Sequence, residues 1–358
     1  MLYRLLGCLS LLLLIQSCQN SSATDYVTFA TLRGKTMGTT YSIIFKDANQ
    51  EAASFKEGVD SVLFALNMEV STYIPASVIS KVNKSELQTV NILELVDGDT
   101  SLCTHFVNNF EIAKTLYGET AGMLDPTVMP LVNYWGFGYS GRDMVESVDS
   151  TEVQRLLQLV DFNSVQLNGF ELQKASKETK LDFSSVAKGY GVDLVGQYLE
   201  KKGINDYLIE IGGEMLGSGK NRESDTWKVG INTPVAGASQ GDYEVIVALE
   251  EGAIATSGNY RIFYENEEGE RFAHIINPKT GFSELSRLLS VSVFAETCAE
   301  ADGLATGFMT MGLDASVEAV EEIDGVDACF IFVNEEGELE VKYSKGLKEN
   351  ILLDKTKS

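Results

Sequence analysis

The segment LDFSSVAKGYGVD, residues 181–193, sets the tightest limit on how this chain can fold. Val186, Tyr190, Leu194, Val195 and Leu199 recur at helical spacing across 184–202, and Gly203 supplies the stop. Gly189 and Gly191 fall inside that helix, where each glycine costs about 1 kcal/mol. Two glycines in one turn need a reason, and the reason they permit is close approach of a ligand or of another backbone. The helix is expected to follow a strand ending at 181–183 and to be capped by Ser184 and Ser185. Serine at a helix start satisfies free N–H groups, and the N–H groups left exposed there attract anions. Lys188, on the second turn, adds a full positive charge. The segment reads either as an anion site or as a capped helix with a solvated lysine.

A second chemistry uses the same letters. Ser185 and Lys188 form Ser-x-x-Lys, Ser257–Asn259 is Ser-x-Asn, and Lys279–Gly281 is Lys-Thr-Gly, the three motifs of penicillin-recognising serine enzymes in their chain order. Ser185 and Lys188 would share a helix face. Lys-Thr-Gly, however, should lie on a strand, and here it follows Asn277-Pro278, which reads as a turn. The penicillin-binding reading is therefore the remote alternative.

Two further places carry chemistry. Thr297 and Glu300 make a capping box that opens a helix running to about Met311. On it Asp302 and Thr306 stand at i and i+4, so their oxygens face the same way. A carboxylate and a hydroxyl suit a hard cation such as Mg²⁺, which completes its shell with water and phosphate; the plain alternative is a solvated pair. There are two histidines. His105 sits on an amphipathic stretch and reads as structural. His274 precedes the Asn277–Gly281 turn and is either a core residue beside Phe272 and Ile276 or a general base near the anion site.

The chain opens MLYRLLGCLSLLLLIQSC: Arg4, an apolar run to Ile15, then Ser17 and Cys18. That pattern is an export signal, too short to span a bilayer permanently. Cleavage before Cys18 and its acylation, as in bacterial lipoproteins, is the expectation. It gives a signal peptide over 1–17, a tether over 18–30 and one functional domain over 31–358. Cys18 carrying more than one acyl chain would hold the protein stably at a membrane surface. The formal net charge is −24, and loss of residues 1–17 removes one positive charge, that of Arg4. So acidic a chain lacks the basic footprint of a nucleic-acid binder, and any phosphate site must make its own positive potential. Cys103, Cys298 and Cys329 show neither disulfide nor zinc spacing.

Strands are expected at 207–211, 227–231, 243–249, 288–295 and 328–333, with a β-rich run in 31–46. Helices are expected near 55–70 and 102–117, and ahead of RLLQLV, where Thr151 and Gln154 look like a capping box. Residues 121–138 read as a long structured loop. Strands and helices mixed without strict βαβ alternation point to an α+β fold, with mixed sheets and packed helices.

Eight collinear segments, MGTTYSI, STYIPASVISKVN, MLDPTVMPLVNYWGFG, LDFSSVAKGYGVD, IEIGGEMLGSG, IATSGNYRIF, HIINPKTG and ADGLATGFMTMG, together with the lipobox, resemble the ApbE-type flavin transferases. The resemblance runs from about Arg33 to Gly312. It implies an ApbE-like (T-fold-like) architecture. It also implies transfer of FMN from FAD to a threonine or serine hydroxyl of an acceptor protein, with Mg²⁺ as cofactor and AMP released. Carried over by motif, Met37, Tyr73, Met123, Leu124, Asp125, Asp182, Lys188 and Ile275 are implied FAD contacts, Leu124 standing where the family more often has an aromatic. Asp302, Thr306 and the backbone around Ser185 and Ala305 are the implied metal shell. His274 is the implied base. Location in a bacterial cell envelope, facing the periplasm, follows from the lipobox. FAD hydrolysis without an acceptor and plain flavin carriage are the alternatives within the same resemblance.

Overall fold

A computed structural model describes residues 28–47, 52–138, 145, 147–234, 241–259, 263–265, 271–283 and 286–357. The expected signal peptide, Cys18 and most of the tether lie outside the described residues. The end of the tether does not: Phe29 and Ala30 already belong to the first strand.

The main sheet has eight strands in the order β1 (Phe29–Thr36), β2 (Thr39–Lys46), β6 (Tyr207–Ile211), β7 (Glu214–Ser218), β10 (Gly252–Gly258), β13 (Leu288–Ala295), β14 (Asp327–Val333) and β15 (Leu339–Tyr343). Every neighbouring pair is antiparallel. Both faces are covered, so alternate residues serve two different cores. Tyr41, Ile43 and Phe45 of β2 and Ile209 of β6 face helices. Ile44 and Leu208, one step along, face a three-stranded sheet of β8 (Trp227–Asn232), β9 (Tyr243–Leu249) and β16 (Ile351–Asp354). In β14 the same alternation sends Phe330 to one core and Cys329 and Ile331 to the other.

The helical layer contains α1 (Ala52–Val70), α2 (Val78–Lys84), α3 (Thr104–Glu119), α6 (Ser184–Lys201), α7 (Cys298–Met311) and α8 (Leu313–Val320). Beside it lies a small sheet of β3 (Thr89–Asn91), β5 (Glu171–Gln173) and β4 (Gln166–Asn168). A third apolar cluster joins α4 (Met129–Tyr134) and α5 (Ser150–Leu157) to Phe272 and Ile276. Phe272 belongs to β12 (Arg271–Ala273), which pairs with β11 (Phe263–Glu265). Trp135 pins this cluster by donating from Nε1 to the Gly281 carbonyl at 2.9 Å.

The two glycines of α6 have separate reasons. A Cβ on Gly189 would stand 2.1 Å from the backbone oxygen of Cys298, so α6 and α7 meet backbone to backbone there. A Cβ on Gly191 would meet Leu66 and Met37 side chains at 3.2 Å, so that gap admits their ends. Asp193 strengthens the first contact, accepting from the N–H groups of Cys298 (2.7 Å) and Ala299 (2.9 Å) at the start of α7. Thr297 caps α7 as expected, accepting from Glu300 N–H.

Three local expectations are corrected. Residues 181–183 belong to no strand, and α6 has no serine cap: its N-cap is Phe183, and the Asp182 carboxylate accepts from Ser184 N–H instead. The cap of α5 is Asp149, not Thr151, because the aspartate reaches the N–H groups of both Thr151 and Glu152. Residues 121–138 contain a single 3₁₀ turn at Pro126–Val128 and then α4, rather than loop throughout.

Gly189→Ala should destabilise the protein by at least about 2 kcal/mol, because backbone cannot yield to the added methyl. Gly191→Ala should stay within about 1 kcal/mol, flexible side chains giving way while helix propensity improves. Urea denaturation of both variants checks the contrast, and equal effects would refute it.

Candidate active site

The N-terminus of α6 opens into a cleft of about 630 Å³, within the usual range for small-ligand sites. Asp182 fixes its floor. Its N–H donates to the Pro126 carbonyl at 2.8 Å, and its carboxylate receives Ser184 N–H and Ser184 hydroxyl, both at 3.0 Å. Asp125 fixes the adjoining wall. Its carboxylate accepts from Thr127 N–H and hydroxyl on one oxygen and from Phe162 N–H on the other. The Asp125 carboxylate is thus engaged in shaping the 125–128 turn, with Met123 and Leu124 leading into it.

One turn into α6, Lys188 extends between two buried carboxylates. Its Nζ stands 2.7 Å from Glu214 Oε1 and 3.2 Å from Asp302 Oδ1. Each carboxylate side chain is 4% exposed. Asp302 is held in turn by Gly189 N–H at 3.0 Å, so the glycine that lets the helices touch also lends a donor. Desolvation tends to lower the Lys188 ammonium, but Asp302 and Glu214 outweigh it and raise it above its ordinary value. Burial pushes the Asp302 carboxyl up, Lys188 pulls it back, and Glu214 adds to the rise. Nothing in the sequence singles out Glu214 as an individual residue. Its signal was a carboxylate immediately after Gly212–Gly213, whose φ values of 68° and 114° turn the chain from β6 into β7.

The other predicted residues converge on the same cleft. Met37, Tyr73, Met123, Leu124, Asp125, Asp182, Ser185, Lys188, His274, Ile275, Asp302 and Thr306 all line it. Met37 sits at the tip of the β1–β2 hairpin with φ 49°, a left-handed conformation that costs a non-glycine residue about 1 kcal/mol. Tyr73 stands 71% exposed at the mouth. His274 is half-buried, its ring edge-on to Phe137 at 6.4 Å between centroids; Phe137 is a further wall residue that the sequence reading did not single out. The Thr306 hydroxyl is 3.2 Å from that of Ser257 on β10. Ala305 is fully buried and does not line the cleft. His105 lies elsewhere, half-buried, with Nδ1 3.2 Å from the Tyr190 hydroxyl.

These contacts dispose of the serine-enzyme alternative. Among the described residues no hydrogen bond joins Ser185 to Lys188, whose ammonium is engaged by Glu214 and Asp302. Lys279–Gly281 is a turn, closed by Asn277 Oδ1 accepting from the N–H groups of Lys279 and Thr280.

A divalent cation fits the donor set. Asp302 and Glu214 share the single ammonium of Lys188. The group carries one negative charge more than Lys188 neutralises, and the Thr306, Ser257 and Ser185 hydroxyls line the same cleft, hard oxygen donors of the kind Mg²⁺ takes.

The layered sheet and its cleft therefore define an α+β fold with a ligand-sized space at the N-terminus of α6. The model of the ApbE family matches residues 37–330, and the chain belongs to that family. It is 34% identical to the FAD:protein FMN transferase of Vibrio cholerae over 332 residues, 92% of this chain and 93% of the relative. It is 35% identical to the enzyme of the same name from Haemophilus influenzae, covering 81% of this chain and 83% of the relative. Among solved structures, the flavin transferase ApbE from Vibrio cholerae superimposes with a TM-score of 0.79 at 32% identity, covering 90% of this chain and 99% of that one. The apo form of the Pseudomonas stutzeri flavinyl transferase ApbE gives 0.78 at 27% identity, covering 90% and 97%.

Glu69, at the end of α1 just before the Ser71–Tyr73 stretch, caps α3 by accepting from Phe106 N–H at 2.9 Å. Burial pushes its carboxyl up to about 7 from an ordinary 4.5, against the lowering effect of that backbone bond. A folded-state value above the unfolded one means the protonated form is favoured on folding. The stability it contributes is full below about pH 4.5 and is lost as pH rises to about 7. Glu69→Gln should remove that slope, worth at most about 1.4 kcal/mol per pH unit. Urea midpoints from pH 4.5 to 8 test this, and parallel wild-type and variant curves would refute it.

Proposed function

We propose that this ApbE-family enzyme transfers FMN from FAD to a threonine or serine hydroxyl of an acceptor protein and releases AMP. The observation that carries the reading is the cleft itself. A histidine, a lysine at the start of a helix and an over-acidic buried site open into one space, in a chain related over most of its length to FAD:protein FMN transferases.

In this reading His274 takes the proton of the acceptor hydroxyl. The hydroxyl oxygen forms a bond to the FMN phosphorus as the bond from that phosphorus to the oxygen of the AMP phosphate breaks. AMP leaves with the bonding electron pair. Lys188 and the Ser185 N–H, the one N–H of the first turn of α6 not taken by Asp182 or Phe183, face the pyrophosphate. Met37, Tyr73 and Ile275 supply apolar contact for the flavin and Tyr73 an aromatic face, while Asp182 and Asp125 keep the cleft walls in place. Asp302 and Thr306, with backbone near Ser185, would hold Mg²⁺, which supplies charge stabilisation at the pyrophosphate when bound; Ala305, which does not line the cleft, is left out of that shell.

We also infer attachment to a bacterial membrane through an acylated Cys18, with the domain facing the periplasm. No helix among the described residues is long and apolar enough to cross a membrane. Cys18→Ala should abolish labelling by radioactive palmitate and shift the protein to the soluble fraction; unchanged labelling would exclude that anchor.

Incubation with FAD, Mg²⁺ and a competent acceptor domain should yield a fluorescent acceptor band in a denaturing gel. His274→Ala should lower the rate about 10²- to 10⁴-fold with FAD binding retained. Absence of the band would sink the transferase reading. AMP release from FAD alone, at a rate matching transfer, would support the hydrolase alternative.

A further inference from the structure

Glu214 has no part in the chemistry above, yet its placement is specific. The Gly212–Gly213 turn delivers it as the first residue of β7, 3% exposed, within 2.7 Å of the Lys188 ammonium. The ammonium is not shared evenly. It stands 2.7 Å from Glu214 Oε1, against 3.2 Å and 3.5 Å from the two oxygens of Asp302. The second Glu214 oxygen, Oε2, is buried and accepts no hydrogen bond among the described residues. A carboxylate held this way carries a full desolvation cost for one ion pair.

That arrangement has consequences for a cation arriving at Asp302 and Thr306. Asp302 is tied to Gly189 N–H at 3.0 Å, so it stays in place. Lys188, on a long stem and 31% exposed at the side chain, is the group that can move. An ammonium beside Asp302 competes directly with a divalent cation for the same oxygens and repels it. Glu214 offers the ammonium another buried partner, at a shorter distance than either of those oxygens.

We propose that Glu214 is a positioning residue that draws Lys188 off Asp302. It thereby sets the affinity of the Asp302–Thr306 site for a divalent cation and keeps the ammonium beside the pyrophosphate position. This rests on the cation and pyrophosphate sites of the reading above. Glu214 acts through Lys188 rather than as a ligand, and that separates the proposal from a plain acidic metal site.

The test is direct Mn²⁺ binding to the full chain, without FAD, followed by the free-ion electron paramagnetic resonance signal. Glu214→Gln should weaken Mn²⁺ binding about 10- to 100-fold, the range for groups that orient a metal ligand from behind. Lys188→Met should tighten it about ten-fold or more by removing the competitor. In the Lys188→Met background, Glu214→Gln should cost less than about five-fold, because interacting residues are non-additive. Equal losses in both backgrounds would overturn the proposal, as would unchanged affinity in Glu214→Gln alone. If Glu214→Gln does not fold, as judged by its thermal transition, Lys188→Met decides: tighter binding supports the proposal and weaker binding overturns it. Absence of any Mn²⁺ binding by the wild-type chain would remove the cation site itself, and this inference with it.

Discussion

Where Gly189 meets Cys298, two helices from distant parts of the chain touch without intervening side chains. That contact fixes most of what matters in the cleft. It brings Asp302 of α7 within reach of both the Gly189 N–H and the Lys188 ammonium. It lets Asp193 supply the cap that α7 needs at Cys298 and Ala299. The order of cause runs from a missing Cβ to a short interhelical distance to a buried ion group. Any side chain at 189 would separate the carboxylate from the lysine as well as the helices from each other.

The protein is strongly acidic, with a formal net charge of −24, yet the proposed ligand is a polyanion. Long-range attraction is not available to it, so affinity must come from a few charges at close range in a poorly solvated place. The structure concentrates them. One ammonium and a helix N-terminus face the cleft, and two buried carboxylates hold that ammonium and leave a surplus of negative charge suited to a metal. Because those carboxylates lie out of solvent, their interactions are screened less by salt than surface pairs are.

Much of this was legible in the sequence, for reasons that differ by residue. The paired glycines announced close packing in α6, and the Asp302–Thr306 spacing announced two oxygens on one helix face, since both are local consequences of helical geometry. The β-branched, turn-bounded runs of β6, β9 and β13 were equally local. Glu214 was not legible as an individual residue because its role depends on a hairpin turn placing it against a helix that is distant in sequence only by topology. The expected serine cap failed for a related reason. Asp182, one residue before the N-cap, supplies the acceptor from outside the helix while its own N–H is held by Pro126. The Lys-Thr-Gly string misled only as letters, since the Asn277-Pro278 ahead of it already marked the turn that the structure contains.

The strand order has a bearing on how the protein reaches its native state. β2 pairs with β6, with Tyr41 opposite Ile211, so the first hairpin cannot join the main sheet until the chain beyond α6 exists. The cleft waits longer still, because its residues run from Met37 to Thr310. Such non-local pairing slows folding and exposes unpaired edges meanwhile. A chain interrupted before α7 would lack Asp302 and would leave Lys188 with Glu214 alone. The cleft is therefore complete only once α7 has been made, and a chain stopped short of it lacks one wall of that space.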